Sequence, residues 1–283
     1  MSARARRVCE DTLHMNNPKL SGVRAKLDRA NYHFKEIDAV VEMALSLKDE
    51  ANLVPRYEYE ADRKHLIVTC PTPKPVDPAL PLAIGDYIHN LRSALDHLIF
   101  QLAVLNGKAA EAETVISFPI VLSDAQFEKF TKRKVAPFID RQALADIKEL
   151  QPYQTGNLGD EDVLWVLSQL DIIDKHRLLV IIARKLRPTS FKIKVPTGES
   201  FEHNLPRSDW KPLEDGAEII RFDLSGVLKA PGKVHVDLGT AAMVYLKDTG
   251  LFCDGREIRS VLTTFRKAVT NVVDDIGRLF FGE

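Results

Sequence analysis

Apolar side chains recur at three- and four-residue steps over four long stretches of the chain and at two-residue steps over several shorter ones. After Asn16-Asn17-Pro18, Ser21 caps a helix in which Val23, Leu27, Ala30, Phe34, Ile37, Val41 and Ala44 share one side, reaching about Leu47. The alternation around Arg56 to Cys70 predicts a hairpin turning near Asp62, and the proline-rich segment behind it cannot continue a sheet. From Leu80 to Leu105 the helical period returns, with Pro81 in the first turn and Asn106-Gly107 as the stop. Ser123 and Gln126 form a capping-box pattern for a short helix, and Arg141 to Leu150 predicts another, stopped by Pro152. A long apolar helix is expected from Asp162 to about Lys185. Beyond Pro188, strand-like runs alternate with Gly, Pro and Asp turns, until Arg256 to Phe280 resumes helical spacing.

These elements predict an α+β fold with a helical core, a β-rich C-terminal insertion and a closing C-terminal helix. The expected division is residues 1–187 as a mainly helical core with an N-terminal hairpin, 188–254 as the β-rich insertion, and 255–283 as a helix packing back on the core.

The second long helix has an unusually polar side. Ile84, Ile88, Leu91, Leu95, Leu98 and Leu102 gather on its apolar face, while His89, Ser93, Asp96 and His97 fall opposite, with Arg92 at the border. Arg92 can pair with Asp96 at i,i+4. In the helix beginning near Asp162, Asp171, Asp174 and Lys175 interrupt an apolar stripe, with His176 beside them. Carboxylates in such a stripe require partners, and His89, Arg92 and His97 are the nearest candidates in kind. A polar cluster between the two helices is therefore expected, either chemical or a buried network that fixes helix register.

Composition narrows the classes. With 39 basic and 40 acidic residues in 283, the formal net charge of -1 gives no global field toward nucleic acid, so any such contact needs a local patch. Lys132-Arg133-Lys134 is one candidate, with a solvated turn as its plain alternative. Three distant cysteines, Cys9, Cys70 and Cys253, suggest reduced thiols rather than a disulfide framework or a structural zinc site. No apolar run approaches a membrane span and the basic N-terminus lacks a signal-type apolar core, so no membrane and a cytoplasmic location are expected. P-loop, classical dinucleotide and nucleophile-elbow motifs are missing. Asp86, His89, Asp171, Asp174 and His176 are metal-donor types without a spacing that unites them, so no metal and no cofactor are expected.

Arg92-Ser-Ala-Leu-Asp-His97 has the form R-x4-H and resembles the motif of the helical ribonuclease superfamily known as HEPN, over this one helix. The resemblance implies a metal-independent endoribonuclease of toxin or defence type, with RNA as substrate. It places His97 on the 2'-hydroxyl and Arg92 on the phosphate, the two contributed across a homodimer. His89, Ser93, Asp96, Asp171, Asp174, Lys175 and His176 are supporting candidates. The alternative is a non-catalytic binding or assembly protein whose polar helix pair is structural.

Overall fold

The computed structural model describes residues 20–45, 56–60, 64–69, 77–154, 161–176, 182–194, 198–205, 211–212, 215–224, 235–247 and 249–283. Its centre is α2 (Ala79–Leu105), whose apolar face is buried along its length: Ile84, Ile88, Leu91, Leu95 and Leu98 are fully covered, and Leu102 nearly so. Burying each such side chain contributes about 1.5–3 kcal/mol relative to leaving it in water, so this helix dominates the core. Packed against it are α1 (Ser21–Leu45), α6 (Val163–His176) and α7 (Ile258–Ile276). The Tyr87 hydroxyl of α2 donates to the Leu262 carbonyl of α7 at 2.6 Å in the buried interior.

Three shorter helices, α3 (Ala109–Ala112), α4 (Asp124–Lys134) and α5 (Arg141–Glu149), lie between α2 and α6 in the chain. The Ser123 hydroxyl caps α4 by accepting from the Gln126 N–H at 3.3 Å, and the Gln126 side chain in return accepts from the Leu122 N–H at 2.9 Å. Asp140 caps α5 and Glu257 caps α7, where the Glu257 carboxylate accepts from the Arg259 and Ser260 N–H groups. Lys132, Arg133 and Lys134 occupy the last turn of α4, where positive charge complements the helix dipole.

The strands form two antiparallel sheets. In the first, β1 (Arg56–Tyr59) pairs with β2 (His65–Thr69), the hairpin expected from sequence, and β2 pairs with β6 (Glu218–Asp223). The hairpin tip near Asp62 lies outside the described residues. In the second, β3 (Ile182–Lys194) pairs along its length with β7 (His235–Leu246), and on its other edge with β4 (Ser200–Asn204) and β5 (Lys211–Pro212). Leu66, Val68 and Phe222 of the first sheet meet Ile193 and Val236 of the second in a small core of their own. The far end of β7 carries Val244 and Leu246 into the helical core. A strand from the latter part of the chain thus joins the early hairpin, and β3 begins at Ile182, a few residues ahead of the expected start of the β-rich segment.

The helix expected to run to Lys185 does not reach it: helix is described to His176, and Ile182 already belongs to β3. Continuous apolar runs carry no periodicity that separates helix from strand, and β-branched Val180, Ile181 and Ile182 suit either. Pairing with β7 decides the outcome, with an irregular register between Pro188 and Ser190, where proline lacks a donor.

Candidate functional site

Helix α2 leaves one strip of its surface open, between α1 on one flank and the segment around Phe118 together with α6 on the other. Leu82, Asp86, His89 and His97 are exposed along it, and Ser93, Asp96 and Phe100 are half-buried. Among the described residues, α1, α6 and α7 cover the other sides of α2.

On the α6 flank, His89 and Asp171 come together. Asp171 stands one turn before Lys175 on α6, its side chain only 5% exposed. One carboxylate oxygen lies 3.1 Å from Nδ1 of His89, and the other accepts from Lys175 Nζ at 2.6 Å. The imidazole is 54% exposed, so the carboxylate holds a ring that stays accessible from the open strip. A buried carboxylate that fixes one ring nitrogen of a histidine sets its tautomer. This is the polar contact between the two helices that the interrupted apolar stripe implies.

Asp174 reaches α2 differently. It lies against Gly85, where a Cβ would stand 2.4 Å from its carboxylate oxygen. Gly85 therefore permits the close approach of α6 to α2, and its position, four residues before His89, is a signal that sequence reasoning passed over. His176 ends α6 as an exposed residue.

Arg92 does not join the Asp171 cluster. Its guanidinium, with the side chain 13% exposed, donates to Asp96 at 2.7 Å and to the Phe118 carbonyl at 2.8 Å. The same Asp96 oxygen accepts from the Phe118 N–H at 2.8 Å. The i,i+4 pair thus satisfies both backbone groups of Phe118, much as a neighbouring strand would, and clips that segment onto α2.

His97 points to the opposite flank, toward α1. Its Nδ1 lies 3.5 Å from where a Cβ on Gly22 would stand. Partial burial and the nearby Lys26 ammonium hold the imidazole below its ordinary pKa, with Asp96 opposing them. Lys26 is a functional candidate that no motif in the sequence marked, because its proximity depends on how α1 crosses α2. Arg92 and His97 are thus placed on opposite borders of the strip, about 140° apart around the helix and about 7.5 Å along it.

Among the described residues, no three or more His, Cys, Asp or Glu side chains gather in a way that would hold a metal ion. Cys253 is a free, buried thiol, and burial raises its pKa, which disfavours a nucleophilic role. No described helix is long and apolar enough to cross a membrane. No family model matches the chain, and neither a curated protein nor a solved structure matches it.

Replacing Asp171 separates its charge from its volume. Asp171→Ala removes the link between His89 and Lys175 and leaves a void beside Leu167 and Leu170, for an expected loss of about 1–3 kcal/mol. Asp171→Leu fills the space, and because both partners are more than half exposed they return to water at little cost, so its loss should be the smaller. Urea unfolding of the two variants checks the order.

Proposed function

We propose that the chain is a metal-independent, HEPN-like endoribonuclease acting in the cytoplasm as a homodimer, with His97 as its general base. The observation that carries this reading is the position of His97 beside Lys26, exposed on a face of the central helix that the described core residues leave open. An imidazole held below its ordinary pKa is neutral at neutral pH and ready to take a proton from a ribose 2'-hydroxyl. Lys26 is the cation nearest in effect, and it takes the phosphate-stabilising part that the resemblance assigns to Arg92. The homodimer is carried over from the resemblance, in which the site is shared between two copies of the motif helix.

Purified protein is expected to cleave RNA in excess EDTA, and His97→Ala to abolish cleavage without lowering the melting temperature. The acidic limb of the rate–pH profile should lie below 6.5, the ordinary value for histidine. Activity is then lost as pH falls through the His97 pKa and the base becomes protonated. Lys26→Ala removes one of the influences that lower that pKa and should move the limb upward. Loss of cleavage in EDTA, or full activity in His97→Ala, would overturn the reading.

A second reading has its own observation. The Arg92–Asp96–Phe118 clip accounts for two of the polar residues on α2 by structure alone, as a non-catalytic binding or assembly protein would require. Absence of cleavage across a broad RNA panel, with light scattering showing a stable assembly, favours it.

A further inference from the structure

The resemblance gives catalytic parts to Arg92 and His97 and leaves His89 a supporting candidate, yet His89 is the imidazole on the open strip that a buried carboxylate holds. Asp171 holds its Nδ1 at 3.1 Å, and Lys175 engages the other oxygen of that carboxylate at 2.6 Å. With one carboxylate oxygen tied to each partner, the His89 ring is held at Nδ1 while more than half of the side chain stays exposed.

Cleavage of a phosphodiester by its own 2'-hydroxyl needs two proton transfers, one from the attacking oxygen and one to the leaving oxygen. His97 and His89 are eight residues apart, about 12 Å along the helix axis, and within one protomer they cannot meet at a single linkage. Ser93 lies midway between them. Two copies of α2 crossing antiparallel about a twofold axis at Ser93 set residue 97 of one against residue 89 of the other, and a small side chain at the crossing lets the helices approach. Charge supports this pairing: Lys26, whose field reaches His97, would stand toward the partner subunit's Asp86, an exposed carboxylate near the His89 end. The contact would also cover Leu82, which is 54% exposed in the single chain.

We propose that His89, oriented by Asp171, is the second proton-transfer residue of the ribonuclease site, and that it acts with His97 of the other protomer. The proposal rests on the ribonuclease reading above. Neutral His97 takes the 2'-hydroxyl proton as that oxygen forms its bond to phosphorus; the bond from phosphorus to the 5'-oxygen breaks, and protonated His89 gives that oxygen its proton. One proton is taken and one is given. The products are a 2',3'-cyclic phosphate and a 5'-hydroxyl, with no water or metal consumed. Asp171 is a positioning residue in this scheme, and Asp171→Asn, which removes the carboxylate charge that holds Nδ1, should lower kcat and leave KM near its wild-type value.

The test mixes His89→Ala with His97→Ala protein under conditions that exchange subunits, and assays RNA cleavage in EDTA. Each variant alone should be inactive. The mixture should recover about one quarter of wild-type activity, because half the pairs are mixed and each mixed pair carries one complete site of two. Full activity of His89→Ala beside an inactive His97→Ala would overturn the role of His89 and leave the ribonuclease reading standing. Inactivity of both without recovery would overturn the shared site. Should the alanine variants fold poorly, His89→Gln and His97→Gln replace them in the same exchange. Ser93→Cys supplies a separate readout: a disulfide-linked dimer under mild oxidation is expected, and its failure to form overturns the crossing. A Ser93→Cys dimer in a protein that cleaves no RNA would overturn the ribonuclease reading and the proton-transfer role together, leaving only the interface.

Discussion

Arg92→Ala is expected to lower the unfolding free energy by about 2–3 kcal/mol, a large effect for a residue at the border of an exposed strip. The Phe118 side chain is 1% exposed, and its carbonyl depends on Arg92 while its N–H depends on Asp96. Removing the guanidinium strands a backbone acceptor away from water and unpairs Asp96. Asp96→Ala should cost a similar amount by stranding the N–H. Because the two act as one clip, the double variant should lose much less than the sum, with a coupling of about 1–2 kcal/mol in a double-mutant cycle by urea unfolding. Arg92→Lys keeps the charge but loses the planar fork, and should behave more like alanine than like wild type. An Arg92→Ala protein within 0.5 kcal/mol of wild type would contradict the clip. The same measurement bears on any assay of the proposed activity, since a loss in Arg92→Ala counts as a catalytic result only where the fold is intact.

Gly85→Ala is expected to destabilise by about 1–3 kcal/mol although alanine is the better helix former by about 1 kcal/mol. Gly85 has an ordinary helical backbone, so conformational strain plays no part. The cost comes from space: the new methyl would meet the Asp174 carboxylate carbon at 2.6 Å and one of its oxygens at 2.4 Å. The half-buried Asp174 carboxylate must then leave its place against α2, by turning aside at the cost of the contacts it makes or by a shift of α6 away from α2. Such a shift also lengthens the contact between His89 and Asp171, and any activity that uses His89 should fall with it. Adding Asp174→Ala to Gly85→Ala removes the obstructing group and should recover much of the lost stability, as read from melting temperatures of the three variants. A Gly85→Ala protein more stable than wild type would show that propensity outweighs the contact.

Much of the architecture was legible along the chain. The three- and four-residue spacing of Ile84, Ile88, Leu91, Leu95, Leu98 and Leu102 marks α2, and every one of these residues is buried. The Ser123 cap, the Arg56–Thr69 hairpin and the C-terminal helix follow from equally local rules, because caps, turns and amphipathic periods are decided by near neighbours. The pairing of Arg92 with Asp96 was legible for the same reason: four residues on a helix bring two side chains together whatever the rest of the fold does.

What spacing along one helix cannot contain is the identity of its neighbours. That Ile182 to Lys185 are strand and not helix was settled by pairing with β7, some fifty residues away, since an apolar run satisfies helix and strand alike. The need of Asp171 for a partner was readable in its apolar surroundings. That the partner is His89 rather than Arg92 or His97 came from the angle at which α6 crosses α2 over Gly85. Likewise Arg92 turns to Phe118 and His97 to Lys26 because three different elements flank one helix, and a polar residue at its edge bonds to whichever of them lies there. The sequence by itself determined the elements, the central apolar helix and the set of polar side chains along it; the tertiary structure alone decided which of those side chains clip the fold together and which stay open to solvent, because that choice depends on groups distant in the chain and brought near only by packing.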